Sequence, residues 1–281
     1  MAKTLLQTLT FLPRATIRPA LLLIAVLALA ACSTTDEDAY VERPVENIYN
    51  GAMDLMFDGN YQLAAREFDE VERQHPYSTW ANRAQVMAAY SYYQANAYDE
   101  AIIAAERFVE LHPGHDDVAY AYYLIAISYY EQISDIGRDQ KMTSLALTSL
   151  DEVVRRFPSS TYARDARLKT DLARDHLAGK EMAVGRYYLT RDYYIAAVNR
   201  FRIVIERYQT TSHVPEALHR LVESYLSLGV YSEAQTAAAV LGYNYPGSDW
   251  YADSYALLAD EDLRPAHDEK SWIDQAFDSV F

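Results

Sequence analysis

The sequence predicts an all-α protein, a helical solenoid of five helix-turn-helix repeats with one long helix between the third and the fourth. Three observations lead to it. Glycine and proline number nine each in 281 residues, and alanine, leucine, glutamate, arginine and tyrosine dominate after residue 32, a composition that favours helix. The set Tyr61, Ala64, Phe68, Val71 and Pro76 returns 37 residues later as Tyr98, Ala101, Ala105, Phe108 and Pro113. The helix expected before each copy has columns of its own, with Ala52, Ala89, Ala126, Gly185 and Val222 in one and Leu55, Tyr92, Tyr129, Tyr188 and Tyr225 three residues on.

Further copies of the first set read Ala146, Leu150, Val153 and Pro158, then Tyr194, Ala197, Phe201 and Val204, then Tyr231, Ala234, Ala238, Leu241 and Pro246. Gln209 stands at the proline position of the fourth. The pattern resembles the tetratricopeptide repeat, a helix-turn-helix unit of about 34 residues. Small residues let the paired helices approach, and the aromatic ring fills the gap between them. Proline stops each second helix because it lacks an amide donor and disfavours helix in the residue before it. No unit can bury its apolar face alone, so the stack is stable only as a whole.

Taken from the start, residues 1–31 contain Lys3, Arg14 and Arg18, no acid, and an apolar run over residues 20–31. That is the layout of a bacterial export signal. The run of about 12 residues falls short of the roughly 20 that a membrane-spanning helix needs. Leu29-Ala30-Ala31-Cys32 resembles the lipobox of bacterial lipoproteins. The resemblance implies cleavage before Cys32 and a covalent diacylglycerol and N-acyl lipid on this residue, with no other cofactor. The alternative is an ordinary cleaved signal in which the cysteine is incidental. Ser33 in place of an aspartate implies, by the same resemblance, the outer membrane. Cys32 is the one cysteine, so no intramolecular disulfide can form.

Residues 32–44 have no apolar period and read as a tether, whose extended reach is roughly 40 Å. Repeats one to three fill 45–160, and repeats four and five with a closing helix fill 161–258. Two spacings break the regular offset. Copies two and three are 45 residues apart, with 8 extra residues in the turn around Ser134-Asp135-Ile136-Gly137-Arg138-Asp139. Copies three and four are 51 apart, and the 14 extra residues precede the first helix of copy four. They read either as added turns of one helix from about residue 161 to 190, or as a separate helix. Residues 259–281 hold an acidic stretch and then Trp272, Ile273, Ala276, Phe277, Val280 and Phe281 on one helical face. That face either caps the last repeat or docks on a partner.

Catalytic patterns are missing. The seven histidines form no His-Glu-x-x-His pair, and there is no Gly-x-Ser-x-Gly, phosphate loop or dinucleotide fingerprint. His112 and His115 flank Pro113-Gly114 in a turn, where polar residues need no metal. A non-enzyme is expected. The formal charge of −15, deepened by three units on loss of residues 1–31, argues against nucleic acid as a partner and suits either solubility or a basic partner.

The concave surface of such a stack is the better candidate site. Positions counted from the core columns are Tyr49, Met53 and Met56 in copy one, Arg83, Val86, Tyr90 and Tyr93 in copy two, and Tyr120, Tyr123, Ile127 and Tyr130 in copy three. Rings and thioethers suit extended peptides, because rings offer area at low entropy cost and thioethers adapt. The alternative is that they pack only between neighbouring helices. In copies four and five the equivalents are Met182, Arg186 and Leu189, then Glu216, His219, Glu223 and Leu226, a mixed and charged set.

The lipobox, the 8-residue turn insertion and the stretch Tyr187-Tyr188-Leu189-Thr190-Arg191-Asp192-Tyr193-Tyr194-Ile195-Ala196-Ala197-Val198-Asn199-Arg200 together resemble the BamD, or ComL, family. The resemblance covers nearly the whole chain after Cys32. It implies a lipoprotein subunit of the outer-membrane β-barrel assembly (BAM) machine, held at the inner leaflet by its lipid and facing the periplasm. It further implies that the first repeats bind unfolded outer-membrane proteins, and that the last repeats dock on the periplasmic domains of BamA and on accessory BAM lipoproteins. Arg200, supported by Asn199 and Arg186, is the expected charged contact to BamA; its alternative is an ion pair with Glu206 or another local acid. A generic periplasmic repeat adaptor that scaffolds cell-envelope enzymes is the competing reading, and an enzyme with unrecognised catalytic residues is another.

Overall fold

The computed structural model describes residues 42–266 and 271–278. The signal segment, Cys32 and the tether up to residue 41 lie outside the described residues, as do His267, Val280 and Phe281. Among the described residues there are twelve helices: α1 Val45–Phe57, α2 Tyr61–Gln74, α3 Thr79–Gln94, α4 Tyr98–Leu111, α5 Val118–Glu131, α6 Lys141–Arg156, α7 Thr161–Leu189, α8 Tyr194–Arg207, α9 Val214–Ser227, α10 Tyr231–Asn244, α11 Asp249–Asp260 and α12 Trp272–Asp278. From α1 to α11 each helix packs on the next in sequence. The pairs α1/α2, α3/α4, α5/α6, α7/α8 and α9/α10 are the five repeats, and the fold is the expected helical solenoid.

Local chemistry repeats with the helices. Inside four of the five repeats the chain leaves the first helix through a left-handed residue, at Gly59, Asn96, Asp192 and Gly229, with φ between 58° and 77°; the long turn of repeat three is the exception. Glycine, asparagine and aspartate are the residues that tolerate this conformation. In each of these turns an amide bonds back to the carbonyl of the large-residue column: Asn60 to Leu55, Ala97 to Tyr92, Tyr193 to Tyr188 and Val230 to Tyr225, at 2.9–3.0 Å. Between repeats, Ser78, Ser160 and Ser248 each stand two residues after a proline and cap the next first helix through Oγ. The residues that end the second helices, His75, His112, Phe157, Tyr208 and Tyr245, all have φ between −126° and −133°. Tyr208 does so without a following proline, so the junction geometry is set by packing as well as by the proline ring.

The three inner columns of the repeated second-helix set are fully buried in every copy, from Ala64, Phe68 and Val71 to Ala234, Ala238 and Leu241, while the tyrosines that open the set stay partly or wholly exposed. Sizes are matched across the interface. Where Phe201 enters between α7 and α8, the facing column holds Gly185, and a Cβ there would lie 2.4 Å from the ring. In repeat four the first-helix position is therefore glycine because the Phe201 ring needs its volume.

The two spacing anomalies form one assembly. The 14 extra residues are added turns of the single 29-residue helix α7, not a separate helix. The long turn of repeat three lies along that helix: the Ser134 carbonyl is 2.9 Å from His176 Nε2, Lys180 Nζ donates to the Gly137 and Arg138 carbonyls at 3.3 Å, and Ile136 approaches Gly179. Asp175 of the same turns accepts from the Ser212 amide at 3.0 Å and from its hydroxyl at 2.7 Å. The extension thus ties repeat three to the start of repeat five.

The described part of the C-terminal apolar face is buried against its own chain, but not as an end cap. Helix α12 packs on α8 and α10, the second helices of repeats four and five, and buries Ile273 and Phe277 there. The end of the stack is α11, which packs on α9 and α10.

Gly185→Ala should lower stability by about 1–3 kcal/mol in urea unfolding, since Phe201 must leave its position. Gly51→Ala, in α1 with nothing within 4 Å of the added methyl, should instead raise it by about 0.5–1 kcal/mol. Equal effects at the two sites would refute the size-matching account.

Candidate functional site

The first helices of repeats two and three and the start of α7 build an aromatic wall. Tyr123 stacks on Tyr162 with ring centres 5.3 Å apart, and Tyr120 meets the same ring at 5.2 Å. Tyr93 lies 5.8 Å from Tyr98. Tyr90 packs with Tyr93, Tyr120 and Tyr123 against one core cluster. Tyr130 completes the wall under Lys169, whose ammonium is 5.5 Å from the ring centre.

Carboxylates hold the phenols. Tyr123 donates to Asp165 at 2.5 Å and Tyr93 to Glu131 at 3.3 Å. Burial, reinforced by these acids, pushes the Tyr93 phenol up to about 12 and Tyr123 higher still. Burial works against ionised Asp165, yet the Tyr123 hydroxyl and Lys169 at 2.9 Å more than offset it and its pKa is lowered. The phenols therefore stay neutral donors turned toward acids, while the rings remain half exposed.

The expected groove residues do not all share this surface. Tyr90, Tyr93, Tyr123 and Tyr130 come together, with Tyr120. Tyr49, Met53 and Met56 belong to another cluster, where Tyr49 sits 5.4 Å from Phe68 and 4.8 Å from Trp80. Val86 and Ile127 are only 6% exposed and lie in the core with Phe108, beneath half-buried Tyr90, Tyr120 and Tyr123. Their short chains cannot reach past the rings beside them, so they line the core rather than the groove. Met182 and His219 are corrected in the same way, at 0% and 4% exposure. Tyr162, Asp165 and Lys169 were not expected. Their spacing of three and four residues puts them on one stripe of α7, a signal readable only once the extension is taken as one helix.

In repeats four and five ion pairs replace rings. Arg186 reaches Glu216 at 2.8 Å, and Arg220 spans Glu216 at 3.5 Å and Glu223 at 2.7 Å. Arg200 pairs with Glu181 at 3.0 Å, and it is Arg202 that pairs with Glu206. Both Arg186 and Arg200 stay partly exposed. Asn199 is exposed and lines a shallow pocket of about 470 Å³ with Tyr193, Ile195 and Leu228. Tyr193, Ile195, Leu228, Val230 and Tyr231 are exposed around the turns of these two repeats, an apolar edge that sequence columns did not single out. His112 and His115 pack on Phe108 at 5.2 and 5.3 Å, and no group of three metal-ligating side chains is found among the described residues.

The family described as Outer membrane lipoprotein, YfiO, matches residues 41–241. The chain belongs to this family. It is similar to the protein named Outer membrane protein assembly factor BamD of Caulobacter vibrioides, 52% identical over 89% of this chain and 84% of that relative. The proteins of the same name from Rickettsia prowazekii and Neisseria meningitidis serogroup A are 46% and 36% identical, over 84% and 82% of this chain and 94% and 91% of the relatives. No helix among the described residues is long and apolar enough to cross a membrane. The family match ends at Leu241, within α10, so α11 and α12 lie beyond it.

One titration follows from burial. His219 Nδ1 lies 2.9 Å from Ser254 Oγ, with the ring 5.1 Å from Trp250. Burial holds its pKa below the ordinary value despite the attraction of Glu223. The unfolded chain therefore binds this proton more readily, and stability should fall as pH drops below about 6.5. His219→Gln should flatten the slope of the urea midpoint between about pH 7 and 5; an unchanged slope would assign the effect elsewhere.

Proposed function

We propose that this chain is a non-enzymatic outer-membrane protein assembly factor, anchored through acylated Cys32 in the inner leaflet of the outer membrane and facing the periplasm. The lipobox-like Leu29-Ala30-Ala31-Cys32, the Ser33 that follows, and the family and names of its relatives support this reading.

The aromatic wall carries it. Half-exposed rings offer apolar faces, and at Tyr93 and Tyr123 the hydroxyls are already bound to acids and leave little to desolvate, which suits segments of unfolded barrel proteins. The other half docks on the periplasmic domains of BamA and on accessory lipoproteins. Arg200 and Arg186, each already neutralised by an internal acid, serve there as geometrically fixed rim charges, and the Tyr193, Ile195 and Leu228 edge with Asn199 supplies the apolar centre.

Tyr90→Ala with Tyr123→Ala should weaken binding of carboxy-terminal barrel peptides about tenfold in a folded protein, as fluorescence titration would report. Unchanged affinity would remove the groove from the reading. Ile195→Asp should reduce recovery of BamA from detergent-solubilised envelopes and leave peptide binding intact. Capture of cell-wall hydrolases without any outer-membrane barrel would sink the assembly function itself. Mass spectrometry of the mature amino terminus should find a triacylated Cys32, and an unmodified cysteine would exclude the anchor.

A further inference from the structure

Repeat four departs from the repeat pattern at two positions, and both are filled by the chain's own tail. Eight residues after Tyr61, Tyr98 and Thr143 stand the acids Asp69, Glu106 and Asp151, whereas the fifth copy holds the small Ala239 and the fourth alone reverses the charge, at Arg202. In repeat one this acid receives the hydroxyl of the column tyrosine on the next first helix, Tyr92 to Asp69 at 2.6 Å. Arg202 cannot accept such a bond from Tyr225. Instead the Trp272 indole N–H donates to the Tyr225 hydroxyl at 3.1 Å, and the Arg202 guanidinium lies 4.2 Å from the Trp272 ring centre. The second departure is Gln209 in the proline column, whose side-chain amide donates to the Ala276 carbonyl at 2.7 Å. Proline has no such donor.

The tail meets α10 as well. Gln235 donates to the Arg264 carbonyl at 2.8 Å, and Ser271 donates to Glu233 at the same distance. Ile273 is fully buried and Phe277 nearly so. One segment thus grips α8, α9 and α10 together, through Arg202, Gln209, Tyr225, Glu233 and Gln235.

What it grips has a consequence for the exposed edge. The Tyr225 carbonyl accepts from the Val230 amide at 2.9 Å and the Leu228 amide at 3.2 Å, so the turn that presents Leu228 and Val230 hangs on the residue whose hydroxyl Trp272 holds. We propose that residues 263–266 and 271–278 are a strap that positions this apolar edge through Tyr225. Strap engagement keeps the edge turn in one geometry, and release loosens it without touching the edge residues themselves. The strap stands on the contacts above, while its value for partner binding rests on the docking role proposed for the edge.

Amide hydrogen exchange on the full mature chain tests it, with Trp272→Ala as one variant and Arg202→Asp with Gln209→Pro, which restores the repeat pattern, as another. The Val230 and Ile273 amides should exchange at least about tenfold faster in both. Those of Ala97 and Tyr193, which close the equivalent turns of repeats two and four, should not change. Faster exchange at Ile273 alone would overturn the positioning role, and unchanged exchange at both would overturn the strap. A uniform rise at all four would also overturn positioning, by making the tail a general stabiliser. Both variants should raise the Kd for BamA about tenfold. If Ile195→Asp leaves that Kd unaltered, the docking role fails while the exchange result stands.

Discussion

Everything in this molecule depends on a ring of one helix entering a space that the facing helix leaves empty. Phe201 occupies the volume above Gly185, and the same columns elsewhere pair Ala52 with Phe68, Ala89 with Ala105, Ala126 with Leu150 and Val222 with Ala238. Such interlocking fixes each helix chiefly against its neighbours in sequence, with smaller contacts to the next first helix. The consequence is a stack whose stability is a sum over neighbouring interfaces. Departures from the pattern are then local events with local compensation. The extended α7 and the long turn of repeat three compensate each other in this way, because the added helical turns supply the surface on which the added loop lies.

The same column that sets helix approach also sets the turns. Tyr92, Tyr188 and Tyr225 each contribute a ring to the interface and a carbonyl to the turn that follows. Side-chain packing and loop geometry are thereby joined in single residues, which is how a contact on one face of the stack can govern what is shown on its edge.

Chemistry divides the two halves. On the aromatic wall Glu131 and Asp165 take the Tyr93 and Tyr123 phenols, leaving neutral, half-exposed rings; at the corresponding positions of repeats four and five Glu216 and Glu223 take guanidinium groups, leaving a charged surface with an apolar edge. Arg186 and Arg200 are oriented by Glu216 and Glu181 rather than left to search, and orientation rather than net charge is what such residues can offer a partner.

The sequence by itself determined the helices, their pairing and their order, because helix period, proline stops and small-large columns are local signals that survive any tertiary arrangement. It also marked Tyr90, Tyr93, Tyr123 and Tyr130, since tall side chains on a first helix reach the surface wherever the helix lies. Only the tertiary structure decided the fate of shorter chains such as Val86, Ile127 and Met182, whose exposure depends on which ring stands beside them. It alone brought in Tyr162 and Asp165, from a segment with no counterpart in the repeat, and the ion partners of Arg186 and Arg200. It alone explained Gln209 and Arg202. A missing proline or a reversed charge reads as decay of the pattern until the segment that binds there, more than sixty residues later, is seen in place.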